Sequence, residues 1–277
     1  MLAERKGLDG PLVLVRGAGE LATGVGWALF KAGYRVVHTE IQSPLMVRWP
    51  VCFGTAVWEQ TWEVEGIRAR LVKSATQLKD VWQAGELPVL VDPELGLLTE
   101  IKPSVLIDAI MAKRNLGTNR AMAPFTVGLG PGFRAGTDVD VVIETNRGHD
   151  LARLINNGEA EPNTGIPGEI GGVAADRVIY SPQAGIFKAK GKIGDRVAAG
   201  QTVGTLADQE VKASIPGVLR GLLCDGTYVQ NRVKIGDVDP RGRVENCWTI
   251  SEKARAIGMA ALLALCEREH MYEDRSC

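Results

Sequence analysis

Near the start of the chain two short apolar runs flank a stretch with helical spacing. Residues 12–15 form an unbroken β-rich run closed by Gly17-Ala18-Gly19, residues 20–31 space their apolar side chains at three and four, and residues 35–39 form a second β-rich run. The pattern predicts a strand, a glycine turn, a helix and a second strand, which is a βαβ opening. Further apolar runs predict strands at 67–72, 87–92, 104–109, 125–129 and 138–145, with helices at 75–84, capped by Ser74, and at 149–156. Alternation of this kind predicts an α/β, Rossmann-like, mainly parallel sheet over residues 1–175, with ligands at the carboxyl ends of its strands.

After about Ala175 the texture changes to short β-like runs punctuated by glycine and proline, and it is doubled. SPQAGIFKAKGKIGDRVAAGQ and SIPGVLRGLLCDGTYVQN share the order Pro, Gly, apolar strand, Gly or Asp-Gly turn, Val. This resembles the β barrel of biotinyl and lipoyl carrier domains, with Gly194-Asp195-x-Val197-x-x-Gly200-Gln201 matching their turn. Lys212 lies only a few residues before Gly217 and lacks a carrier lysine's flanks, so an unmodified barrel over 176–246 is expected. Residues 247–277 predict a C-terminal helix docking on the body. Thr249-x-x-Glu252 reads as its capping box, Ile257, Ala261 and Leu265 as its buried face, and Gly258 as a close backbone approach.

Composition excludes several classes. Apolar residues are 45% of the 277 and charged residues 23%, the balance of a globular chain rather than a disordered or fibrous one. Lys+Arg 32 against Asp+Glu 33 gives a net charge of -1 with no basic run, so no nucleic-acid partner is expected. Cys52, Cys224, Cys247, Cys266 and Cys277 are scattered, with no C-x-x-C pair, so no metal site is expected and a reducing compartment fits. Arg5 and Lys6 precede no apolar leader, and the run at 258–266 is too short for a bilayer. A cytoplasmic protein with no membrane span is therefore expected, and a homo-oligomer stays open.

The chemistry concentrates in two places. Gly17, Gly19 and Ala22 fit G-x-G-x-x-G/A between a strand and a helix, with the Thr23 hydroxyl nearby and Glu40 at the end of the next strand. Glycine permits close backbone approach, a helix N-terminus offers N–H groups to phosphate, and Glu40 has the reach of ribose hydroxyls. The expected ligand is a small-molecule nucleotide or a dinucleotide such as an NAD-type cofactor. A turn that only packs helix on strand is the competing reading, and the charge of Glu20 opposes phosphate. The second place is GTDVDVVIET, where a period of two sets Asp138, Asp140 and Glu144 on one face, followed by Arg147-Gly148-His149. Asp138, Asp140 and His149 are the candidate catalytic groups, against the plainer reading of a solvated strand face. Asp108 and Lys113 after another strand are weaker candidates, against a surface loop. His38 and His270 read as structural, or as solvent-facing, and Cys247 as an inert core residue, against a thiol that the following helix would activate. No G-x-S-x-G, P-loop or H-E-x-x-H occurs.

Long ordered motifs span nearly the whole chain: VRGAGELATGVGWALFKAGYRVVHTEI, LIDAIMAKRN, DVDVVIETNRGH, NTGIPGEIGG, KIGDVDPRG and CWTISEKARAIG. On these the sequence resembles the YqeB-like family of selenium-dependent molybdenum hydroxylase accessory proteins. The resemblance implies an accessory role in maturation of such hydroxylases, with a molybdenum hydroxylase as partner and a molybdopterin dinucleotide as a second candidate ligand for the glycine turn, and it names a pathway rather than a reaction. The alternative is a nucleotide-dependent enzyme, an oxidoreductase or transferase, with Asp138, Asp140 and His149 around the reacting group.

Overall fold

The computed structural model describes residues 10–273, and from residue 269 on the backbone alone. Two compact units divide it, one of residues 1–44, 52–163 and 250–277 and one of residues 45–51 and 164–249. The helix after residue 250 thus groups with the first unit, and the 45–51 segment with the second.

The first unit opens as its pattern predicts. Strand β1 (Leu12–Arg16) leads through the glycine turn into α1 (Glu20–Lys31) and β2 (Arg35–Glu40). A short helix α2 (Ala56–Glu59) and a hairpin of β3 (Thr61–Val64) and β4 (Ile67–Val72) come next, then α3 (Leu78–Gln83) and β5 (Leu87–Val91). The remaining strands are β6 (Val105–Asp108), β7 (Thr126–Leu129), β8 (Arg134–Ala135), β9 (Val141–Ile143), β10 (Leu154–Ile155) and β11 (Gly158–Glu159). Nine of them form one sheet in the order β10-β9-β7-β6-β1-β2-β5-β4-β3, parallel through the middle and antiparallel at both edges. The second unit holds β12 (Val178–Tyr180), β13 (Gly185–Ala189), β14 (Arg196–Val197), β15 (Thr202–Leu206), β16 (Gln209–Lys212), β17 (Gly217–Leu222), β18 (Tyr228–Val229) and β19 (Lys234–Asp239). Helix α4 (Glu252–Glu273) returns to the first unit.

The expected Rossmann-like domain with a biotinyl/lipoyl-like barrel is corrected on both counts. The large sheet is mixed, and the connections after β5 carry only 3-10 turns, at Gly96–Thr99 and Arg120–Met122, in place of a helical layer. Proline and glycine at 93, 96, 103, 117, 124, 130, 131 and 132 explain this, because neither sustains a helix interior. The second unit is two separate four-stranded antiparallel sheets, β12-β19-β17-β14 and β16-β15-β13-β18, and no ladder among the described residues joins them into a barrel. Strand alternation is a local signal, whereas closure depends on register between distant strands. One apolar cluster fills this unit, centred on Phe187, Val203, Leu206, Leu219, Ile235 and Val238.

Two smaller expectations also change. Residues 149–156 are turns and the short β10 rather than a helix, and 75–84 starts as a 3-10 turn before α3. The capping box does not form. Thr249 donates its hydroxyl to the Glu245 carbonyl, and the Ser251 hydroxyl accepts from Ala254 N–H at the start of α4. The close approach expected at Gly258 is present: a Cβ on Gly258 would overlap the Gly24 carbonyl, and one on Gly24 the Ala254 carbonyl. A Cβ on Gly258 would also lie 3.3 Å from the Ala28 methyl, so α1 and α4 run side by side in the same direction. Both present their N-terminal turns at the carboxyl edge of the parallel strands.

Candidate functional site

The chain leaves β1 for β2 on one side and later returns to place β6 on the other, so the switch in strand order lies between β1 and β6. In open parallel sheets the crevice outside the carboxyl ends at such a switch is where ligands bind. Gly17, with φ +101, ends β1 there, and a Cβ on it would lie 3.2 Å from the Ala109 carbonyl group after β6. Glycine at this position fits both the left-handed backbone and the close approach. Gly19 is the N-cap of α1, has no side chain to cap it, and opens on free space.

The other residues of the turn are tied into its scaffold. The Glu40 carboxylate accepts from Ala18 N–H at 2.9 Å and from Ile41 N–H at 2.8 Å, one per oxygen, so each oxygen retains a further acceptor position. Burial raises the proton affinity of Glu40 above that of an ordinary carboxylate, against those two hydrogen bonds. Thr23 is fully buried and does not face the crevice. Its hydroxyl donates to the Ala18 carbonyl and accepts from Phe53 N–H, and Ala22 is buried beside it. His38, mid-strand as its pattern suggests, is buried with Nδ1 2.8 Å from the Gly17 carbonyl. Its Nε2 has no partner and abuts Gly26, and burial pushes its pKa down to about 4, so the imidazole is neutral. A neutral ring must therefore donate from Nδ1, which holds the glycine turn from below.

On one side of the switch, Arg16 and Asp108 close a buried network. Arg16 Nη1 lies 3.2 Å from Asp108 Oδ2, 3.0 Å from Thr118 Oγ1 and 3.1 Å from the Leu116 carbonyl, and Thr118 donates to Asp108 at 2.6 Å. Leu12, Leu14 and Arg16 share one strand face, which places this network at the end of the core face containing Leu14 and Leu106. On the other side, Lys253 in the first turn of α4 lies within electrostatic reach of Lys113, Arg147, Glu20 and Glu144, and its neighbour Glu252 pairs with Arg147 at 2.7 Å. Burial, and then the like charges of Lys113 and Arg147, bring its pKa down to about 8. This group of cations was only partly legible in the sequence. Lys113 and Arg147 each follow a strand, but nothing local announces that a lysine from the C-terminal helix joins them.

The second chemistry-bearing segment does not assemble as expected. Only residues 141–143 are strand, and Val139, Val141, Val142 and Ile143 are all buried, so the segment has no open face. Asp138 accepts from Arg134 N–H in the turn before it. Asp140, at the amino end of β9, accepts from Thr126 N–H and Oγ1 and pairs with Arg120 at 2.7 Å. Glu144 lies at the opposite end, buried, with backbone N–H groups of Thr145, Asn146 and Glu161 on its oxygens. His149 is exposed in the loop beyond. The strand therefore separates Asp138 and Asp140 from His149, and the three are not one site. Cys247 is buried, its thiol lies 3.9 Å from the Leu219 carbonyl, and burial raises its proton affinity, as suits an inert core residue rather than an activated thiol. The side chain of His270, Cys277 and the segment with Arg5 and Lys6 lie outside the described residues. Among the described residues no group of three or more His, Cys, Asp or Glu is arranged to hold a metal, and no helix is long and apolar enough to cross a membrane.

No protein-family model matches the chain. The uncharacterized protein YqeB of Escherichia coli (strain K12) is 47% identical over 254 residues, 92% of this chain. Over most of its length the chain is similar to that protein. It covers 47% of that relative, and so spans about half the length of the curated protein it matches. Among solved structures, an aspartoacylase family protein from Mesorhizobium loti aligns over 85% of this chain and 87% of its own, at 12% identity and a TM-score of 0.27. A succinylglutamate desuccinylase/aspartoacylase from Rhodobacter sphaeroides aligns over 83% and 85%, at 16% identity and a TM-score of 0.27. The product-bound ectoine utilization protein EutE from Ruegeria pomeroyi aligns over 83% and 85%, at 14% and 0.24. Likeness at these scores carries no argument about activity. None of these names is that of a molybdenum or selenium factor, so the role implied for the YqeB-like family gains no support from them.

Proposed function

We propose that this YqeB-like protein binds a phosphate-bearing small molecule, a nucleotide or molybdopterin-type cofactor, and serves as an accessory factor in maturation of selenium-dependent molybdenum hydroxylases. One observation carries the binding half: the uncapped N-terminus of α1 opens at Gly19 beside the β1/β6 switch, with the Glu40 carboxylate across the end of β2. A helix start whose N-cap makes no side-chain hydrogen bond, with its positive dipole end, suits a phosphate, and the open acceptor positions of Glu40 suit ribose or pterin donors. The accessory half rests on the motifs shared with the family. The reading assigns no catalytic step to Asp138, Asp140 or His149.

A deletion strain of a host that makes such a hydroxylase tests the role, with enzyme-bound selenium and molybdenum measured separately. Loss of selenium with molybdenum retained is the expected result. Unaltered selenium loading would reject the accessory role.

A further inference from the structure

The loop after β6 is held in an unfavourable backbone. Met111 and Lys113 both have left-handed φ, +58 and +63, a conformation that non-glycine residues take at a cost of roughly 1 kcal/mol each. Packing enforces it: a Cβ on Gly132, itself at φ +111, would lie 2.6 Å from the Arg114 Cα, so this glycine lets the two backbones touch and pins the loop. The pinned loop brings Lys113 within electrostatic reach of Lys253, whose helix the Gly24–Gly258 contact fixes against α1. Arg147 completes the group and is tethered by Glu252 at 2.7 Å.

Three cations drawn together by rigid elements repel one another, and nearby acids relieve this incompletely. Glu252 is taken up by Arg147, and the oxygens of Glu144 already accept three backbone N–H groups. Glu20 stands at the N-terminus of α1, where the helix dipole also attracts its charge. Among the described residues no carboxylate closes to ion-pair distance of Lys113 or Lys253, although both are neighbours of Glu144. Like-charge repulsion at the ends of rigid elements is offset when an anion arrives between them.

We propose that Lys113 and Lys253, with Arg147 behind them, bind the phosphate or pyrophosphate group of the ligand that the α1 turn receives, a step that rests on the preceding reading only for the rest of that ligand. The depressed proton affinity of Lys253 follows from the same arrangement, and a bound dianion would raise it again.

Titration calorimetry of the full chain at pH 7 with inorganic pyrophosphate, ADP and adenosine tests this. Pyrophosphate is expected to bind wild type, and Lys113→Met and Lys253→Met each to weaken it by about ten- to a hundredfold, the scale of one charge-assisted hydrogen bond. Lys253→Arg should retain most of the binding, and Lys31→Met, at the far end of α1, should retain all of it. Lys113 is exposed, so its variant folds normally and keeps the test decisive if Lys253→Met does not. No binding of pyrophosphate by wild type in the millimolar range, or equal binding by both methionine variants, overturns the lysine site. ADP binding that survives both substitutions overturns it while leaving the nucleotide reading in place. Lysine-dependent pyrophosphate binding with no gain from the nucleoside in ADP leaves the lysine site in place and removes the nucleotide reading.

Discussion

The two units handle buried charge in opposite ways. In the first, charged groups sit at strand ends and in the loops beyond, where Arg16 with Asp108 and the Lys253 group flank the carboxyl edge of the sheet. In the second, they lie within the strands themselves. Asp237 and Asp239 of β19 are fully buried against Arg220 of β17 and Arg177 just before β12, each guanidinium 7% exposed. Arg220 donates to Asp237 from Nε at 3.1 Å and from Nη2 at 2.7 Å, Arg177 pairs with the other oxygen of Asp237, and Arg241 clasps Asp239 at 2.7 Å. Those contacts hold Asp239 down to about 2, although burial alone would raise it. Charge closed on itself in mid-sheet specifies strand pairing. At the strand ends the Arg16–Asp108 pair is closed in the same way, whereas Lys113 and Lys253 have no carboxylate at ion-pair distance among the described residues. A motif such as KIGDVDPRG is therefore distinctive for architectural reasons.

The sharpest way to break this contrast is Asp237→Ala. It removes the carboxylate that Arg177 and Arg220 share and leaves two buried guanidinium groups with Asp239, 3.6 Å from Arg220, as the nearby carboxylate. An under-compensated buried charge costs about 3–5 kcal/mol. Urea unfolding should show that loss, and a change below 1 kcal/mol would mean that the network is solvated rather than structural.

The first unit has its own buried ionisable group in His38, and pH sharpens the comparison. Its folded pKa of about 4 lies below the unfolded value near 6.5, so the unfolded chain binds the proton first as pH falls. Stability should be full above about pH 6.5 and decline by about 3 kcal/mol as pH falls to about 4. His38→Gln, which takes up no proton, should lack that slope in urea titrations at successive pH values.

Gly258→Ala probes the seam between α1 and α4. The added methyl meets the Gly24 carbonyl and should cost about 1–3 kcal/mol, as overpacking of a tight contact does. The same variant should also loosen pyrophosphate binding, because the seam fixes where Lys253 stands. A melting temperature unchanged from wild type would show that the helices yield there.

Much of the sheet was legible because its strands are continuous apolar runs: 67–72 is β4 as read, and β5, β6 and β7 fall within a residue or two of their predicted ends. The βαβ opening was legible for the same reason, helped by the glycines that the turn and the switch demand. The β3–β4 hairpin was missed because its turn uses Glu65 at φ +46 before Gly66, a weaker signal than Asn-Gly or Asp-Gly. Asp138, Asp140 and Glu144 read as one face because a period of two was extended past the ends of a three-residue strand. At the candidate site, Gly17, Gly19 and Glu40 were visible from local spacing. Lys253 was not, since its place depends on a contact between residues at opposite ends of the unit.

That contact has a consequence for the order of folding. The small-residue face of α1 is among the first parts of the described chain to be synthesised, and its cover on α4 among the last. Until α4 emerges, Gly24 and Ala28 have nothing to pack against, and the turn that α1 extends from lacks its neighbour. Closure therefore waits on one of the most distant pairings in the sequence, which by loop entropy is slow to form. The carboxyl edge of the sheet, where both helices begin, is then completed late, after the rest of the sheet has had time to assemble.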